Sequence, residues 1–157
     1  MIFYRSEKGA TDRSVAFVRA ASLASLLAYP AGALTLALGQ DSATNSIIGY
    51  GLVLFSILCA ALLTGSTAQR IVGEEAKLLD EFELTLRYRT MGTAYAVFST
   101  LALGAAIYAA IAADKGGWLP TTYEHYNGVF WGIFLYAFTL PTACLAWLLD
   151  PSAEQAS

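Results

Sequence analysis

The side chains able to do chemistry fall in two places. One is Asp80, Glu81, Phe82, Glu83, Arg87 and Arg89, where carboxylates and guanidiniums crowd a short stretch around one aromatic ring. The other is Asp114, Glu124 and His125. Glu124 and His125 suggest an acid–base pair, but adjacent residues on a helix do not face one another. His125 is the single histidine, and Cys59 and Cys144 both sit inside apolar runs. That falls short of the three or four clustered ligands that a metal centre needs. Neither a metal nor another cofactor is expected. The chain has no phosphate-binding Walker loop, no Gly-x-Ser-x-Gly elbow and no His-Glu-x-x-His pair. A net charge of −3 with no basic stripe excludes nucleic acid as an expected partner.

The elements that must position these groups are apolar. The chain is 57% hydrophobic and only 13% charged, whereas a soluble domain is about one quarter charged. The apolar residues gather in blocks at 15–39, 47–68, 91–113 and 129–149, with the charges between them. Each block reaches the roughly 20 residues that a spanning helix requires. The expected fold is therefore all-α: a four-helix transmembrane bundle forming one integral membrane domain over residues 1–157. The first block exceeds the roughly 7–15 residues of a signal-peptide core, so it is expected to span and stay. Pro30 and Pro141 should kink their helices.

Alanine rows at spacings of four, Ala20–Ala24–Ala28 and Ala102–Ala106–Ala110, suit close helix approach. They are expected to pack the bundle internally, with a dimer face as the alternative. Ser22, Ser25, Ser56, Thr64, Ser99, Thr100 and Thr139 can bond to carbonyls of their own helices. Ile48-Gly49-Tyr50-Gly51 has the look of a potassium-filter fragment, but Ile47 replaces the threonine and no pore helix precedes it. Close backbone approach explains the glycines better. No ionisable group lies near the centre of a span, as an ion relay would need. Arg19, one turn into the first block, should snorkel to the surface.

Lysine and arginine set the orientation. Arg5, Lys8, Arg13 and Arg19 precede or enter the first span, and Arg70, Lys77, Arg87 and Arg89 lie between the second and third. The remaining two connections hold only Lys115. Both termini should therefore be cytoplasmic. Trp118, Tyr123, Tyr126, Phe130 and Trp131 should form a collar at the outer interface, with Trp147 at the inner one.

The segment 69–90 is polar yet carries Ile71, Val72, Leu78, Leu79, Phe82 and Leu86 at near-helical spacing. It predicts a cytoplasmic helical extension of the third span over about 73–90, with Glu83 and Arg87 paired at i,i+4. Leu79-Asp80-Glu81-Phe82-Glu83, followed by Arg87 or Arg89 and by Ala94-Tyr95, resembles a juxtamembrane pattern of small bacterial multi-pass membrane proteins with no assigned activity. Phe82 stands where those proteins carry arginine. The resemblance implies a bacterial inner membrane and nothing catalytic.

The expected function is that of a non-enzymatic accessory or interaction subunit. It would dock a protein partner, or a second copy, through Asp80, Glu81, Phe82, Glu83, Arg87 and Arg89, with membrane lipids around the spans. A small oligomeric transporter or channel, and an enzyme acting on lipid at the outer surface through Asp114, Glu124 and His125, are the alternatives. Fused after Ser157, a fluorescent protein is expected to fold in the cytoplasm and alkaline phosphatase to stay inactive; fusions after Gly117 should behave in reverse. Active phosphatase at Ser157 would invert the topology.

Overall fold

The computed structural model describes residues 14–39 and 42–149. Arg5, Lys8 and Arg13 of the charge asymmetry, and the tail beyond Leu149, lie outside the described residues. Five helices follow one another: α1 (Val15–Leu38), α2 (Ala43–Leu63), α3 (Thr67–Gly73), α4 (Glu81–Lys115) and α5 (Tyr123–Leu148), with one 3₁₀ turn, Ala76–Leu78, before α4. No strand occurs among the described residues. Four helices, all but the short α3, are long and apolar enough to cross a membrane.

Each α-helix starts on a side chain that supplies the missing acceptor. Ser14, Ser42, Ser66, Asp80 and Thr122 accept the backbone N–H groups of Phe17, Asn45, Gln69, Glu83 and His125. Such caps satisfy one of the orphan donors at a helix start.

Two of them overturn boundaries expected from the sequence. The second span was expected to reach residue 68, but α2 stops at Leu63, Gly65 turns the chain at φ 81°, and Ser66 begins α3. The third span was expected to extend back to about residue 73 as one helix. Instead, α3 ends at Gly73, and Asp80 starts α4 afresh. Helical spacing persists across 69–90, yet Ser66 and Asp80 offer the backbone better acceptors than a continued helix would. From Glu81 onward α4 is unbroken for 35 residues, about 52 Å at 1.5 Å each, well beyond a hydrocarbon core of about 30 Å.

Three helices make the core. α1 packs along α2 and α5, while α4 makes its substantial contacts with α5 and α3. Gly32 and Gly49 permit the α1–α2 approach, since a Cβ on Gly32 would come within 2.8 Å of the Gly49 carbonyl oxygen. Ser25 and Ser56, both fully buried, bond across the same interface. Ser25 Oγ donates to the Ser56 carbonyl at 3.0 Å and Ser56 Oγ to the Ser25 carbonyl at 2.8 Å. Expected to serve their own helices, these hydroxyls instead tie two helices together. Ser22 and Thr100 do bond to carbonyls of their own helices. Thr139 Oγ1 is buried without a hydrogen-bond partner.

Pro30 lies inside α1 and has no N–H for the Leu26 carbonyl. Tyr136 of α5 supplies the donor, its hydroxyl standing 2.6 Å from that oxygen. Tyr29 reaches the other way, donating to the Gly128 carbonyl at 2.7 Å with its ring laid against Gly132, where a Cβ would come within 2.9 Å.

The alanine rows divide. On α1 the buried line runs through Ala21, Ser22, Ser25, Ala28 and Gly32, while Ala20 is exposed. Ala102, Ala106 and Ala110 are all exposed, so this row does not pack the bundle. Only 6% of the apolar window of α4 is buried, against 33, 28 and 39% for α1, α2 and α5.

Tyr136→Phe leaves the Leu26 carbonyl without its donor and is expected to cost about 1–2 kcal/mol. Ser25→Ala should cost about 0.6 kcal/mol, the average for an interhelical bond in a membrane. Unfolding of both variants in mild detergent checks the order, and a harmless Tyr136→Phe would sink it.

Candidate functional site

The base of the molecule brings together the start of α1, α3, the root of α4 and the end of α5. Val18, Ala21, Leu63, Ala68, Ile71, Val72, Leu145 and Ala146 form one buried cluster there, with Leu86 and Leu149 against it. Ile71 and Val72 of α3 thus turn inward onto the bundle, whereas Leu78 stays exposed. Arg19 does more than snorkel. Its Nε donates to the Ala146 carbonyl at 2.8 Å and its Nη2 to that of Leu149 at 2.9 Å, with the guanidinium 4.9 Å from the Trp147 ring centre. It therefore satisfies carbonyls at the end of α5 that have no intrahelical donor, with a cation–π contact besides.

An ionic knot joins α3 to α4. Arg70 Nη1 donates to Glu74 Oε2 at 2.8 Å, and Arg70 Nη2 contacts Glu83 Oε1. Arg87 Nη1 donates to the Glu74 carbonyl. Glu74 is 4% exposed, so its charge is held almost dry beside Arg70. Burial alone would lower the affinity of Arg70 for its proton, but Glu74 and Glu83 outweigh it and push the pKa above its ordinary value. The expected Glu83–Arg87 pair is corrected here: both residues reach back to α3 segment residues instead of to one another. Above the knot, the buried Thr142 hydroxyl of α5 contacts Gln69 Oε1.

The six residues singled out from the sequence therefore separate by task. Asp80 is the cap, 2.6 Å from the Glu83 N–H. Glu83 and Arg87 are half-buried in the knot, whereas Glu81, Phe82 and Arg89 stay exposed. Phe82 is 72% exposed, and Leu78 and Tyr88 are similarly bare. Arg70 and Glu74 were missed as site residues, although their i,i+4 spacing was a visible signal.

At the opposite end, Thr122 caps the start of α5. The His125 N–H donates to Thr122 Oγ1 at 3.3 Å, and His125 Nδ1 accepts the Thr121 N–H at 3.4 Å. The imidazole also meets Trp118 edge-on at 5.4 Å. These contacts use His125 to close the turn into α5, while Asp114 and Glu124 stay exposed. Phe130, Trp131 and Phe134 stack edge to face. Gly49-Tyr50-Gly51 lies within α2, Gly49 pressed against Leu36 and Tyr50 exposed. Cys59 and Cys144 are free thiols. Among the described residues no group of three or more histidine, cysteine, aspartate or glutamate side chains is placed to hold a metal ion.

No known family model, curated protein or solved structure matches the chain.

Arg70→Met strands the buried Glu74 carboxylate and is expected to cost about 3 kcal/mol, the lower end for breaking a buried pair. Glu83→Gln leaves Arg70 its Glu74 partner and should cost about 1 kcal/mol. Chemical unfolding in detergent measures both, and equal losses would contradict the unequal burial of the two carboxylates.

Proposed function

We propose that the protein is a non-enzymatic four-pass membrane protein that acts as an accessory or interaction subunit, docking a partner protein on the exposed root of α4. One observation carries this. Phe82 is 72% exposed and lies nine residues before Met91, about 13 Å along the helix, beyond the apolar stretch that needs lipid. A large bare ring there, flanked by Glu81 and Arg89, has the composition of a protein contact: an aromatic anchor inside a charged rim. The knot beneath it fixes the root against α3, so the surface is presented on an ordered element.

The membrane is a bacterial inner membrane in this reading, on the strength of the residue pattern at 79–95, and both termini face the cytoplasm. The clustering of Arg19, Arg70 and Arg87 at one end supports that orientation, with Lys115 at the far end of α4. Homo-oligomerisation is the second reading, favoured by the exposed Ala102, Ala106 and Ala110.

A photo-crosslinking phenylalanine analogue placed at Phe82 in native membranes should yield one discrete protein adduct, and the same probe at Leu54 on α2 none. An adduct of twice the chain's mass would select the homo-oligomer. Adducts to lipid alone, or identical adducts at both positions, would remove the docking reading.

A further inference from the structure

The face that α4 turns to the core is interrupted. Thr90 and Ala94 are buried on it, and Ala112 is covered at the far end, where the chain turns back at Gly117. Leu101, Ala105 and Tyr108 continue the same face, because they follow Ala94 and precede Ala112 at spacings of seven, four, three and four residues. All three are nevertheless exposed, Leu101 by 49% and Tyr108 by 53%. Indeed every residue of 100–108 is exposed around the whole circumference of the helix. α4 is thus pinned at both ends and stands off in between. The root is held by Arg70–Glu83 and by the Arg87 bond to the Glu74 carbonyl. The far end is held by the Tyr108 hydroxyl on the Trp118 carbonyl at 3.1 Å and by the left-handed Gly116, after which the Gly117 N–H returns to Ala112 at 2.8 Å.

Two glycines punctuate the stretch. A Cβ on Gly92 or on Gly104 would meet nothing within 4 Å, so close packing explains neither. What they do supply is backbone freedom inside a long helix. The outer half of α5 likewise leaves Phe130, Ile133 and Phe134 exposed.

From this geometry we propose that α4 is a strap that closes onto α5 along Leu101, Ala105 and Tyr108, opening and shutting an apolar slot to the bilayer, with the Arg70–Glu83 pair as the latch at its root. Lipid fills the slot when the strap is open. Lipid tails are as apolar as the side chains they replace, so burying this face gains little from the hydrophobic effect and the two positions stay close in energy. The latch then sets their ratio, since it fixes the angle at which α4 leaves α3. The strap needs no docking partner, and its test uses the purified chain alone.

Spin labels at Leu54→Cys on α2 and Ile107→Cys on α4, with Cys59→Ala and Cys144→Ala, place probes on exposed positions away from the closing face. Pulsed dipolar spectroscopy in lipid nanodiscs should resolve two distance populations. Glu83→Gln should change their ratio at least twofold, and Gly92→Ala with Gly104→Ala, which meets no steric obstacle, should collapse them toward one. A single narrow distance in the labelled protein, or two populations whose ratio neither variant moves, would overturn the proposal.

Discussion

Pro30 takes a donor out of α1 in the part of the helix that must lie in hydrocarbon, and the Tyr136 hydroxyl puts one back on the Leu26 carbonyl. That exchange states the constraint on which the core depends. Inside a bilayer no water is at hand, and a backbone group without a partner is costly. The same solution recurs: Ser25 and Ser56 serve each other's carbonyls, Tyr29 serves Gly128, and Arg19 serves the end of α5. These polar contacts between α1 and its neighbours act where apolar burial offers little distinction between a helix and a lipid tail. Among the described residues α4 is tied at its root to α3 and Glu74, and through Tyr108 to Trp118 in the connection that follows it, and it is the least buried of the four long helices.

The four spanning helices were legible because hydropathy over some 20 residues is a long signal that no single residue can erase. The boundaries between α2 and α4 were less so. Apolar residues recur at near-helical spacing across 69–90, but the fold divides them: Ile71, Val72 and Leu79 are buried, whereas Leu78 and Phe82 are exposed. What breaks the helix is the local competition of Ser66 and Asp80 for backbone N–H groups, after glycines at 65 and 73. Short caps of that kind weigh little in a periodicity count, though each fixes where a helix begins.

The site was legible in its residues and not in its pairings. Glu83 and Arg87 have ideal spacing on one helix, but their partners belong to the preceding segment, where Arg70 and Glu74 are held half-buried or buried by the fold. Only the return of α3 against α4 creates those pairs. The exposed alanines of α4 illustrate the reverse case: Ala102, Ala106 and Ala110 repeat as an interface would, yet among the described residues no helix covers them. Small residues at spacings of four record that a helix could approach closely, and tertiary contacts decide whether one does.

Arg19 bonds to carbonyls 127 and 130 residues further along the chain. During synthesis the first helix is therefore complete long before its guanidinium has a protein partner, because α5 follows α1 to α4 in the chain. The cation at the base of α1 must be kept in water or among headgroups through the insertion of everything between. Its final bonds form only when the end of α5 comes to lie beside the start of α1. A chain truncated before Ala146 would leave Arg19 without these two carbonyls and the base of the molecule without the end of α5.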